Sequence, residues 1–172
     1  MGRGTIASGD ISTAMGDYST ASGNNSTAMG YSAEASGEGS TAMGYNPTAS
    51  GIASIAMGYY TRARGDYSTA MGIETTASGT VSTAMGYWTT ASDKSSLVIG
   101  EYNLTGSTVT SSADQFSLDN TALVIGNGVD GNNRSDALVV KFNGDATLAG
   151  SMTATSFIGD GSQLTNLPSS GA

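Results

Sequence analysis

The sequence predicts an all-β fold: a parallel β-roll, or β-solenoid, of fourteen-residue coils followed by an irregular β-rich module. Three observations carry that reading. Ala-Met-Gly recurs every fourteen residues, at 14–16, 28–30, 42–44, 56–58, 70–72 and 84–86. Ala-Ser-Gly, or a variant of it, sits midway between successive copies. Ala, Gly, Ser and Thr make up more than half of the 172 residues, with 25 Gly among them, so little bulk is available for an ordinary core. A composition this biased signals a repeat, in which regularity replaces bulk.

The two triplets set a Gly every seven residues from Gly9 to Gly100, broken only at Asp93. The midway triplet becomes Ala63-Arg64-Gly65 and Ala91-Ser92-Asp93, and the next step of the main triplet is Val98-Ile99-Gly100. A period of seven invites a coiled coil, but a Gly in every heptad costs a helix about 1 kcal/mol each time. There is also no a/d pair of large apolar residues and no e/g charge pattern. Short blocks of Ser, Thr, Ala and Gly fit strands of four or five residues, with Gly at each strand end to supply positive φ. Two sevens then make one coil, and equivalent strands stack in parallel about 4.8 Å apart, giving a rod of roughly 33 Å for seven coils.

Side-chain alternation sets the orientation. The two Ala columns face each other inside a thin coil that only small side chains fill. Thr13, Thr27, Thr41, Ile55, Thr69 and Thr83 then point outward, together with Met15, Met29, Met43, Met57, Met71 and Met85, and Ile99 continues the Met column. The opposite outer face carries Thr20, Glu34, Thr48, Arg62, Thr76 and Thr90 and is polar. A stacked Met stripe is a larger apolar patch than a soluble monomer usually exposes, so these positions are the candidate interface of a symmetric homo-oligomer. The alternative packing puts Met inside and Ala outside.

The units Asn25-Ser26-Thr27-Ala28-Met29-Gly30 and Gly39-Ser40-Thr41-Ala42-Met43-Gly44, alternating with Ala-Ser-Gly, resemble the head repeat of YadA-like trimeric autotransporter adhesins. The resemblance covers roughly residues 5–100. Thr-Ala-Met stands here where that family favours Val-Ala-Ile. The likeness implies a left-handed parallel β-roll assembled as a homotrimer, and an extracellular fibre that attaches to a host cell, matrix or other surface. It implies a receptor, glycan or matrix protein as partner, flanking fibre modules, and no cofactor. Nothing in the chain resembles the family's anchoring barrel or coiled-coil stalk, so secretion through such an anchor is not expected of it.

Residues 101–150 read as a β-rich extension. Leu123-Val124-Ile125-Gly126 repeats Leu97-Val98-Ile99-Gly100, so a further roll-like coil is expected after a long excursion over 101–122. Leu138–Phe142 is a second β-rich run, and Asn143-Gly144-Asp145 marks a hairpin-type turn. Residues 151–172 read as a connector. The stretch from Phe157 to Pro168 looks like a segment of bacterial surface fibres and phage tail fibres, which makes a tail-fibre spacer of a phage or phage-like injection particle the alternative function.

Other classes are disfavoured. With no Cys and no His, there is no usual zinc site, disulfide or Ser-His-Asp triad. A net charge of −8 with six Lys plus Arg argues against nucleic acid and anionic membranes. The apolar runs are too short for a bilayer span, so no direct membrane insertion is expected. The repeat begins almost at Met1, so the chain reads as a mature piece or as one exported without a cleaved signal. No carboxylate pair specifies acid–base chemistry, and an enzyme is not expected. Ice binding would need a regular Thr lattice where Glu34, Arg62 and Arg64 interrupt.

Three local features remain. Tyr31, Tyr45, Tyr59 and Tyr87 follow Met-Gly, and Tyr18, Tyr60 and Trp88 occupy the next position. Stacked coils turn these into an aromatic edge. It is either a ladder that stabilises the turns or a contact platform, with Tyr31, Tyr45, Tyr59, Tyr60, Tyr87 and Trp88 as candidate ligand contacts. Arg64-Gly65-Asp66 spells an integrin-type tripeptide, but the lattice already demands Gly65. Arg62 and Arg64 read as solvated or paired with Glu34, Asp66 or Glu74. The stretch from Asp130 to Asp136 has the composition of a calcium loop. Lys141 stands where an EF-hand needs its twelfth-position carboxylate, so a polar turn is expected there, as at Asp160.

Overall fold

The computed structural model describes residues 2–105, 113–156 and 158. The repeat opens with β1 (Ile6–Ala7), β2 (Thr13–Asp17), β3 (Thr20–Ala21), β4 (Thr27–Tyr31), β5 (Glu34–Ala35) and β6 (Thr41–Tyr45). It continues through β7 (Thr48–Ala49), β8 (Ile55–Tyr59), β9 (Arg62–Ala63), β10 (Thr69–Ile73), β11 (Thr76–Ala77), β12 (Thr83–Tyr87), β13 (Thr90–Ala91) and β14 (Leu97–Glu101). The C-terminal strands are β15 (Thr121–Asn127), β16 (Asp136–Lys141) and β17 (Ala146–Leu148). The odd strands β1 to β13 form a seven-stranded sheet, and the even strands β2 to β14 with β15, β16 and β17 form a ten-stranded one. Each repeat strand pairs in parallel with its equivalent one coil later: Thr13 faces Thr27, Ala14 Ala28, Met15 Met29 and Gly16 Gly30. The fold is therefore a parallel β-solenoid of fourteen-residue coils.

The two halves of a coil differ more than the sequence suggests. The Ala-Met-Gly half makes five-residue strands, but the Ala-Ser-Gly half makes strands of two residues. The short half spends the rest of its length in turns. Between the sheets lie two Ala columns, and Ala28, Ala42, Ala56, Ala70 and Ala84 from one face Ala21, Ala35, Ala49, Ala63, Ala77 and Ala91 from the other, all without solvent exposure. Much of the remaining interior is hydroxylic, with Ser26, Ser40, Ser54, Ser68 and Ser82 on one side and Ser19, Thr61, Thr75 and Thr89 on the other, where Ala33 and Pro47 take the same column. The exception in the Ala column is Val98, which is buried in the last coil.

Positive φ is not what half of the glycines supply. Gly16, Gly30, Gly44, Gly58, Gly72, Gly86 and Gly100 do have φ between 99° and 131°. The glycines of the other half, such as Gly51, have no such φ. A Cβ on Gly51 would lie 2.1 Å from the carbonyl oxygen of Gly65 in the next coil, so that column is glycine because the coils leave no room for a side-chain carbon. The left-handed turn positions lie two residues further on, at every seventh residue from Gly4 to Tyr102, with φ between 42° and 66°. Most are not glycine; Ile11, Tyr18, Ala53, Val81 and Trp88 are among them. From Tyr18 onward a backbone hydrogen bond to the preceding coil holds each turn, as in Tyr60 N–H to Tyr45 O at 2.9 Å and Val81 N–H to Asp66 O at 2.8 Å.

The roll ends unevenly. β14 pairs in parallel with β15, and Leu97, Val98, Ile99 and Gly100 face Leu123, Val124, Ile125 and Gly126. Antiparallel β16 and β17 then extend the long sheet, joined by a turn in which Lys141 N–H bonds Asp145 O and Gly144 has φ 95°. The short sheet stops at β13. Its outer edge is closed at Thr90 by the Asn103 side chain, whose Oδ1 accepts from Thr90 N–H at 2.8 Å while Nδ2 donates to Thr90 O at 3.0 Å. The Asn103 amide thus takes the place that a backbone amide holds one coil earlier, where Thr76 N–H donates to Thr89 O.

Candidate interaction surfaces

Alternation along the five-residue strands places Ala inside and its Thr and Met neighbours outside. Thr27, Thr41, Thr69 and Thr83 are half-buried on the outer face, and Thr13 and Ile55 are exposed. Met29, Met57 and Met71 are half-buried; Met15, at 41%, Met43 and Met85 are exposed; Ile99 is half-buried. In-register pairing makes these two columns continuous from coil to coil. The opposite outer face is polar, and its Arg62 pairs with Glu74 at 3.6 Å.

The aromatic edge is two clusters rather than one. Tyr31 stacks on Tyr45 at 4.8 Å and 12°, and Tyr45 on Tyr59 at 5.1 Å and 15°. Tyr18 meets Tyr31 edge-on at 6.4 Å, and Tyr60 meets Tyr59 edge-on at 4.7 Å. Ile73 and Glu74 interrupt the array one coil later. Desolvation within the stack, with the neighbouring phenols Tyr60, Tyr31 and Tyr59, holds the Tyr45 hydroxyl above the ordinary tyrosine pKa. Face-to-face stacking leaves the ring edges, not the ring faces, toward solvent along the ladder.

The second cluster contains Tyr87, Trp88 and a residue absent from the sequence-based set, Tyr102. Tyr102 stacks against Trp88 at 6.0 Å and 14° and meets Tyr87 edge-on at 5.1 Å. The hydrogen bond with Tyr87, reinforced by desolvation, pushes the Tyr102 pKa up to about 12. The Arg134 guanidinium lies over the Tyr102 ring at 5.6 Å and donates to Trp88 O and Asn103 O. Extending the lattice one step past Trp88 finds Tyr102. Nothing in the sequence marks Arg134, which arrives after the irregular excursion.

Other motifs resolve into structure. Gly65 is buried between coils, and Asp66 Oδ1 accepts from Ile52 N–H at 2.8 Å, so Arg64-Gly65-Asp66 is part of the coil wall rather than a projecting loop. Asp130 accepts hydrogen bonds from Asn133 Nδ2 and from the backbone N–H groups of Asn132 and Asn133. These bonds, the Asn133 side chain first, hold its carboxyl below the usual range and close a polar turn. Asp160 and the segment from Phe157 to Pro168 lie outside the described residues, apart from Ile158. Among the described residues no group of three or more His, Cys, Asp or Glu is placed to hold a metal ion, and no helix is long and apolar enough to cross a membrane.

A cleft of about 420 Å³ opens where the short sheet stops, lined by Asp93, Ser96, Val98, Asn103, Val124 and Asp136. Asp93 binds Thr121 at the start of β15, whereas Asp136 pairs with Gly126 near its end. The two carboxylates therefore sit at opposite ends of the cleft and do not form a pair for acid–base chemistry.

The model of the YadA head domain repeat, in two copies, matches residues 1–25, 7–33, 21–46, 49–75 and 77–101, which together are more than half of the chain. The chain belongs to the YadA head family. The YadA head repeat is a structural adhesin repeat and not an enzyme family, and here it accounts for the coils from β1 to β14. No curated protein matches the chain. Within the YadA head pattern, Met occupies the outer column of six successive coils and Ile99 that of the next, so this head carries a thioether stripe along its long sheet.

Proposed function

We propose that the chain is the rigid head module of an extracellular homotrimeric fibre, in which the Thr/Met face of the long sheet is buried between three copies. The observation that supports it is the Met column: one half-exposed thioether per coil, in register from Met15 to Met85 and continued by Ile99. A soluble single chain rarely leaves so long an apolar stripe to water. Three copies around a common axis cover it with identical contacts. The polar face, the turns and the aromatic edges remain outside and present a surface to a receptor, glycan or matrix protein.

The test is Met43→Asp combined with Met57→Asp. Carboxylates buried without partners between chains are costly, so the double variant should lose its oligomer while keeping its β circular dichroism. A double variant that stays assembled places the Met columns elsewhere. A glycan and matrix-protein array probed with the assembled protein then identifies the attachment partner.

A further inference from the structure

The chain has no cysteine, so no disulfide can tie one coil to the next. Its tyrosines offer another route. We propose that the ladder of Tyr31, Tyr45, Tyr59 and Tyr60 is a site of oxidative dityrosine cross-linking, which ties neighbouring coils where it joins Tyr45 to Tyr31, Tyr59 or Tyr60, with a peroxidase and hydrogen peroxide as the oxidant class. This does not rest on the trimer or on adhesion.

Proximity and access carry the proposal. Successive ladder rings are 4.8, 5.1 and 4.7 Å apart between centroids, and the first three are 43%, 42% and 46% exposed. The backbone register holds them there, since Tyr31 pairs with Tyr45 and Tyr45 with Tyr59 across neighbouring strands. A phenoxyl radical formed on one ring thus has a second phenol in contact. Tyr67 is the internal control: at 59% it is more exposed, yet it has no ring partner among the described residues.

Each of two phenols gives up one hydrogen atom, and the two hydrogens reduce one hydrogen peroxide to two waters. The radicals join through their ortho carbons, and the two ortho hydrogens move to the oxygens, so both rings regain their aromaticity and O–H groups. The product is two hydrogens lighter and spans fourteen residues when it joins Tyr31 to Tyr45. A cross-link of that kind restricts the unfolded chain as a disulfide does. Peroxide also oxidises methionine, but that adds oxygen and is separated by mass.

The experiment treats the intact protein at low concentration with a plant peroxidase and limiting hydrogen peroxide, then maps linked peptides by mass spectrometry. Within the ladder, links in one chain should join Tyr31 to Tyr45, Tyr45 to Tyr59 or Tyr60, or Tyr59 to Tyr60; Tyr87 and Tyr102, in contact at 5.1 Å, are the pair expected to link outside it, and Tyr67 should enter none. Tyr45→Phe preserves the stack but removes the central phenol, and within the ladder should leave the Tyr59–Tyr60 link alone, with the links of Tyr45 to Tyr31, Tyr59 and Tyr60 lost. The proposal is overturned if links form only between chains, if Tyr67 is linked as often as the ladder, or if Tyr45→Phe leaves yield and pattern unchanged.

Discussion

A Cβ on Gly79 would lie 2.2 Å from the carbonyl oxygen of Asp93. The same relation runs along the whole short-sheet column, each glycine being roofed by the next coil. Asp93 is the one position of that column that carries a side chain, and it is the last of the column, since among the described residues no short strand follows β13. Its carboxylate is buried and turns to β15, where Oδ2 accepts from the N–H and the hydroxyl of Thr121. A break in a periodic sequence thus marks where the periodic structure ends.

Replacing Asp93 should show which role dominates. Asp93→Gly restores the repeat but removes both bonds to Thr121, whose N–H is buried. The expected loss is about 1–3 kcal/mol in chemical denaturation, the usual cost of stranding a buried donor. An unchanged midpoint would mean that the anchor to β15 contributes nothing.

The two kinds of special position should respond in opposite directions. Gly51→Ala puts a methyl into the Gly65 carbonyl, where backbone and not a flexible side chain must yield, so loss of the folded roll is expected. Val81, half-exposed at a turn with φ 61°, sits where a β-branched residue is disfavoured. Val81→Asn should raise stability by about 1 kcal/mol, because Asn tolerates the left-handed region better. Thermal melts of the two variants beside the parent decide both.

These positions also show what the sequence disclosed. The coil length, the parallel stacking and the Ala interior follow from the spacing of Ala-Met-Gly, because one strict period admits one strict stacking. The glycine column of the short half is equally visible, but its cause is not. The period reports that a side chain is excluded, whereas the turns sit two residues later at positions as varied as Ile11, Glu74 and Trp88. Arg134 over Tyr102 was invisible, since contacts between the repeat and the irregular extension obey no period.

Asp136 gives a pH-dependent test. Burial raises its carboxyl above the ordinary aspartate value, and the Leu104 N–H offsets part of that. The folded state therefore holds this proton more tightly than the unfolded state. Its contribution to stability falls as pH rises from the unfolded value, about 4, through the higher folded one. Asp136→Asn stays neutral and keeps an acceptor for Leu104. Its Tm should exceed that of the parent at neutral pH, and the gap should close below about pH 4. A gap that persists in acid would point to packing instead of charge.

The central claim is that the Met face is covered by other copies of the same chain. The most direct measurement is the mass of the particle in dilute buffer, by light scattering or sedimentation. The account predicts three chains per particle at every concentration tested. A stable, well-folded particle of one 17.1 kDa chain would contradict it, because the stripe from Met15 to Met85 would then face water without a partner.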